Sequence, residues 1–141
     1  MPDHGLTHVA LGVTDLDAAV AFYARYAMME VVHRRPGVVW LSDRTRPFAV
    51  VLAEQERVDS PLRPFAHLGT GCESRAEVDR RCEMARREGC LLQGPTDSGP
   101  PVGYWAFLGD PDGNTLEVSF GQEVGLSIGD GAVPAGDPDR E

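Results

Sequence analysis

The stretch "PFAHLGTGCESRAEVDRRCEMARREG", residues 64–89, changes period partway through, and that change decides the fold. Its first part reads as a short strand. From Ser74 the spacing turns helical: Ser74 and Glu77 match a capping box, Val78, Cys82 and Ala85 recur on one face, and Gly89 is a fitting stop. The same order stands earlier in the chain. "LTHVALGV" (6–13) is strand-like, and "TDLDAAVAFYARYAMM" (14–29) places Leu16, Ala19, Val20, Tyr23 and Tyr26 or Ala27 on one helical stripe, with Thr14 or Asp15 as its cap. Three short strand-like runs follow each helix. They are "EVVHRR", "GVVWLS" and "PFAVVLAEQ" in the first half, then "CLLQGP", "GYWAFLGD" and "NTLEVSF" in the second. The unit βαβββ is thus written twice, in modules of about 5–56 and 64–122 within a single domain spanning 1–127. This predicts an α+β fold whose two halves share a cleft.

Composition narrows the function. The 141 residues carry 13 basic and 22 acidic side chains, a formal charge of -9, so the chain offers no basic field for nucleic acid or an anionic membrane. Residues 128–141, mostly "GDGAVPAGDPDRE", are rich in Gly, Pro and Asp and are expected to form a disordered tail. No signal peptide or membrane-length apolar run is evident. Cys72, Cys82 and Cys90 are odd in number and form no CxxC pair, which suits reduced thiols in a cytoplasmic protein and argues against a cysteine zinc site.

The repeat sets His8, in "LTHVAL", against His67, in "FAHLGT". Each stands between apolar neighbours near the start of its module. Glu117 in "NTLEVSF" does the same between Leu116 and Val118, so strand alternation turns its carboxylate to the face opposite them. Alone, His8 reads better as a core histidine bonded to the backbone, and Glu117 can be read as a solvated residue. Together, two imidazoles and one carboxylate are the ligand set of a facial triad, which holds a divalent metal and leaves positions open.

On "HVALGVTDLDAAVAFY", "HLGTGCESRAEVD" and above all "DPDGNTLEVSFGQ", residues 5–122 resemble the vicinal oxygen chelate superfamily, the group of glyoxalases, bleomycin-resistance proteins and extradiol dioxygenases. The resemblance implies two βαβββ modules forming a curved, barrel-like mixed sheet around a divalent metal (Zn, Ni, Co, Mn or Fe) held by His8, His67 and Glu117. It also implies a homodimer acting on a small-molecule substrate. Two features depart from the pattern. Ala27-Met28 stands where the first helix usually meets a glycine, and the position of the fourth glyoxalase ligand falls near Val51 or Leu52, which cannot ligate.

The leading expectation is a glyoxalase-like lyase or isomerase in which the metal stabilises an enolate-type anion. Glu117 and Glu54 are then catalytic carboxylates, Glu54 standing in on the face of Leu52 as a base, with Tyr104 as a proton or hydrogen-bond donor. An Fe(II) extradiol-type dioxygenase is the alternative, since three ligands suit it. A non-enzymatic drug-binding protein of the bleomycin-resistance kind is the second, and the triad counts against it. A fosfomycin-type thiol transferase would need basic residues, and only Arg140 follows Glu117. His33 reads as pocket wall or surface alike, Trp40 and Trp105 as core, and His4 as a terminal residue. The glycines of "GPTDSGPPVGY" suit either a loop over the site or a plain connection.

Overall fold

The computed structural model describes residues 3–63 and 65–124, so the expected tail lies outside the described residues. The element order is β1 (His8–Val13), α1 (Leu16–Ala27), β2 (Glu30–Arg35), β3 (Val38–Ser42), β4 (Ala49–Glu54), β5 (Leu68–Gly71), α2 (Arg75–Glu88), β6 (Leu91–Asp97), β7 (Tyr104–Gly109) and β8 (Thr115–Phe120). This is βαβββ twice. The strands form two four-stranded mixed sheets ordered β1-β4-β3-β2 and β5-β8-β7-β6. The chain folds as two compact units. Of the described residues, one comprises those up to Leu68 with Gly109–Leu116, the other Gly69–Leu108 with those from Glu117 onward. No helix among the described residues is long and apolar enough to cross a membrane.

In the first sheet β1 runs parallel to β4, pairing His8 with Ala49, Ala10 with Val51 and Leu11 with Leu52. Alternation then sorts the side chains. Leu11, Val13, Val50 and Leu52 are buried on one face, as are Val39 and Leu41 of β3. The apolar stripe of α1 adds Ala19, Phe22, Tyr23, Tyr26 and Ala27 to this core. Phe22, rather than the expected Val20, completes the stripe. The cap is Asp15, whose Oδ1 accepts from the amide of Ala18 at 3.0 Å. Thr14 instead gives its amide and its hydroxyl to Asp112, at 3.0 and 2.8 Å.

The loop "DPDGN" (110–114) holds this unit together. The carboxylate of Asp110 accepts from Tyr23 Oη at 2.7 Å and from Asn114 Nδ2 at 2.9 Å, and its other oxygen takes the amides of Asp112 and Asn114. Asn114 Oδ1 accepts from the Leu62 amide at 2.8 Å, and its Nδ2 also reaches the carbonyl of Gly12 at 3.3 Å. One loop therefore clamps the first helix, the first strand and the connection between modules. The buried side-chain oxygens and nitrogens of Asp110 and Asn114 are all partnered, which is what burial demands.

In the second unit α2 is capped by Ser74, whose Oγ accepts from the Glu77 amide at 3.0 Å, and it ends at Gly89 with φ of 80°. Only half of the expected capping box forms. Glu77 turns instead to Arg80 and Arg81, at 2.7 Å each. Val78, Cys82 and Ala85 are buried as the pattern requires, with Ala106, Leu108 and Val118 of the sheet. Burial pushes the Cys82 thiol up to about 11, which keeps it protonated near neutral pH.

Candidate functional site

The face of the first sheet opposite its core collects the polar and aromatic groups. His8, Ala10 and Gly12 share it on β1, and their register partners Ala49, Val51 and Ala53 share it on β4. Trp40 pairs with Val51, and His33 pairs with Trp40, so both belong to this face. Their rings meet at 4.9 Å. Of the two readings open to His33, its place is thus on the sheet face that carries His8. Trp40 likewise stands outside the core.

The register also decides where Glu54 goes. It pairs with Val13 and shares a face with Leu52, as its spacing requires, but that face is the core side. Its carboxylate leaves the strand end on the side opposite His8. The next residue, Gln55, occupies the His8 face. Its amide donates to the Val13 carbonyl at 2.8 Å, and a Cβ placed on Gly12 would stand only 2.9 Å from Gln55 Cδ. The absence of a side chain at Gly12 lets Gln55 lie across β1. Sequence reading chose Glu54 for its acidity, whereas the pleat brings Gln55 to the relevant side.

His67 lies one residue before β5, and its Nδ1 is 2.8 Å from the carbonyl of Phe65. A carbonyl only accepts, so the hydrogen is on Nδ1 and the Nε2 lone pair is the basic one. His8 Nδ1 meets the hydroxyl of Thr7 at 2.9 Å, which either tautomer satisfies. Both histidines are exposed, and both belong to the first unit.

Glu117 belongs to the second unit. It is 6% exposed, on the β8 face opposite Leu116 and Val118, alongside Ser119. Gln122 Nε2 stands 3.5 Å from its Oε1 and 3.4 Å from the Val102 carbonyl. A Cβ at Gly69 would come within 3.3 Å of the same oxygen, so glycine there leaves the carboxylate its room. Gln122 is a residue that sequence reading missed, although it closes the "LEVSFGQ" motif. Among the described residues, no three His, Cys, Asp or Glu side chains gather as a metal-holding group.

Tyr104 is engaged elsewhere. Its hydroxyl donates to Asp79 of α2 at 2.5 Å, and the Arg75 guanidinium lies 3.9 Å from its ring centroid. Arg75 is held in turn by Asp97 at 3.0 Å. The hydrogen bond to Asp79 pushes the Tyr104 pKa up, which makes the phenol a poorer acid. Its strand neighbour Trp105 points to the other face, with its Nε1 on Ser98 at 2.9 Å and its ring 4.8 Å from Phe107.

This fold, with paired βαβββ modules and the histidine and carboxylate motifs on them, places the chain in a family. Residues 5–118 match the model of the Glyoxalase/Bleomycin resistance protein/Dioxygenase superfamily, and the chain belongs to it. It is 40% identical over 127 residues to an uncharacterized protein of Pseudomonas aeruginosa, covering 85% of this chain and 91% of that one. Among solved structures it is similar to lactoylglutathione lyase from Agrobacterium tumefaciens, at 27% identity and a TM-score of 0.62 over 86% of this chain and 97% of that one. It also shares its fold with the fosfomycin resistance protein FosX of Listeria monocytogenes, at 19% identity and a TM-score of 0.70 over 89% and 98% of the two chains.

Proposed function

We propose that the protein is a metal-dependent enzyme of glyoxalase-like type, acting on a small oxygenated substrate, with His8, His67 and Glu117 as the metal ligands. The observation that carries this reading is the hydrogen bond from His67 Nδ1 to the Phe65 carbonyl. It fixes the tautomer a metal-binding imidazole needs, with the basic pair on Nε2 and the ring held from behind. Glu117 contributes an anionic oxygen donor that Gly69 leaves uncrowded. Two nitrogen donors and one oxygen donor suit Zn, Ni, Co, Mn or Fe. When bound, such a cation polarises substrate oxygens and stabilises negative charge developing beside them. The likeness to a lactoylglutathione lyase supports the lyase or isomerase class.

One observation favours a second reading. On the His8 face β4 presents Ala49, Val51 and Ala53, none with a ligating atom. A three-ligand site with open positions suits an Fe(II) dioxygenase as well. Metal calorimetry on the wild type and on His8→Ala, His67→Ala and Glu117→Ala tests the common core. Each substitution is expected to weaken divalent-metal binding at least tenfold, as removal of one ligand does. A wild type that binds no divalent cation at micromolar concentration overturns the proposal. Elemental analysis of protein purified without chelator then separates the two: Ni, Co or Zn marks the first reading, Fe the second.

A further inference from the structure

We propose that Arg63 and the cleft it borders in the first unit form a subsite for a small carboxylate, so that the substrate is an organic acid. This rests on the reading above only in taking the cleft as part of the active site.

The cleft is open to solvent and measures about 210 Å³. Ala10, Leu11 and Gly12 of the edge strand β1 line one side, and the connection between modules, with Pro61 and Leu62, lines the other. Asn114 borders it as well, but its side chain is already committed to Leu62, Asp110 and Gly12. Two polar side chains of the lining remain, Ser60 and Arg63, and neither has a hydrogen bond or ion pair among the described residues. Arg63 is the one charged group of the lining among those residues.

That Arg63 has no partner among the described residues sets it against most arginines of this chain. Arg44 is paired with Glu30, Arg57 with Asp59, Arg75 with Asp97, and Arg80 and Arg81 with Glu77, while Arg86 and Arg87 share Glu83. Arg34, Arg35 and Arg46 likewise have no carboxylate partner among the described residues, but Arg63 is the arginine that lines this cleft. Gly113, whose φ of +92° suits glycine, lies beside it: a Cβ there would stand 3.5 Å from Arg63 Nη1 and 3.7 Å from Pro61 Cγ, so the guanidinium borders the "DPDGN" loop.

A guanidinium recognises a carboxylate through two parallel N–H donors, and Ser60 belongs to the same lining. The volume sets the size of the acid. It is below the roughly 300 Å³ at which drug-sized pockets begin, which suits an acid of a few carbons. His8 stands two residues and roughly 7 Å from Ala10 along β1.

The test uses the full chain, stripped of metal by chelator and freed of chelator by gel filtration, because a bound cation would itself attract carboxylates. Malonate and lactate are titrated by calorimetry, with malonamide and lactamide as neutral controls. Both acids are expected to bind saturably in the millimolar range, to shift the amide resonances of Gly12 and Gly113, and to weaken with added salt, while the amides do not bind. Arg63→Gln is expected to lower the acid affinity at least tenfold, and Arg63→Lys to lower it less. Acids that do not bind, bind Arg63→Gln as tightly as wild type, or bind no better than their amides overturn the proposal. Carboxylate binding that persists in His8→Ala while wild-type metal binding is absent discards the metal reading and keeps this one.

Discussion

At the scale of single residues, pleat and register separate groups that look alike in sequence. Glu54 and Gln55 are adjacent, yet only Gln55 lies over Gly12 on the face of His8. Tyr104 has the chemistry of a proton donor, but its hydroxyl is bound to Asp79 beneath the Arg75 guanidinium. Both acid–base candidates therefore point away from the proposed reaction. Glu54→Gln and Tyr104→Phe are each expected to keep kcat/KM within about twofold on any substrate the wild type turns over. Tyr104→Phe should cost about 1 kcal/mol of stability, the usual net worth of one hydrogen bond. Parallel steady-state kinetics and urea denaturation check this. A hundredfold loss of turnover in either variant, with metal affinity intact, would return that residue to the catalytic machinery.

At the scale of elements, the helix ends carry the most specific expectations. The first helix stops at Met28, which takes the left-handed conformation with φ of 56°, a geometry glycine adopts without strain. Met28 is half exposed, so truncating it gives up little packing. Relief of left-handed strain, about 1–2 kcal/mol, outweighs the extra unfolded-state freedom of glycine, about 0.5–1 kcal/mol. Met28→Gly should therefore stabilise the fold by roughly 0.5 kcal/mol in urea melts, and a clear loss of stability would contradict this account of the stop. In the second helix the hydrogen bonds from Arg80 and then Arg81 pull the Glu77 carboxyl down to about 2 from 4.5. A depressed folded-state value means the stabilisation is fully present above the ordinary pKa and is lost as pH falls toward the folded one. The stability gap between wild type and Glu77→Gln should hold near neutrality, shrink below about pH 4.5 and close near pH 2. A gap that does not change with pH would show that Glu77 acts through packing alone.

At the scale of the whole molecule, the exposed apolar residues bear on assembly. Leu6 is 87% and Phe65 93% exposed, and Leu92 and Val124 are more than half exposed. A homodimer that covers some of this surface is the expected solution state, with a buried interface of the order of 1,600 Å². Multi-angle light scattering over a dilution series checks it. A monomer at every concentration would refute the dimer and require a site complete within one chain.

The sequence by itself determined the order βαβββ twice, both helix starts near Asp15 and Ser74, the stop at Gly89 and the family, because each is written in local periodicity and capping chemistry. It also matched His8 with His67 and offered them with Glu117 as the candidate ligand set, the reading proposed above. Other features depended on which chain segments meet. The "DPDGN" loop shows in sequence as a motif, but its work of clamping Tyr23, Gly12 and Leu62 spans tens of residues. The face of Glu54 turned on a strand register that only pairing with β1 fixes, because a shift of one residue reverses every side chain. Arg63 was indistinguishable from the other basic residues until the tertiary structure gave most of them carboxylate partners and set Arg63 beside a cleft instead.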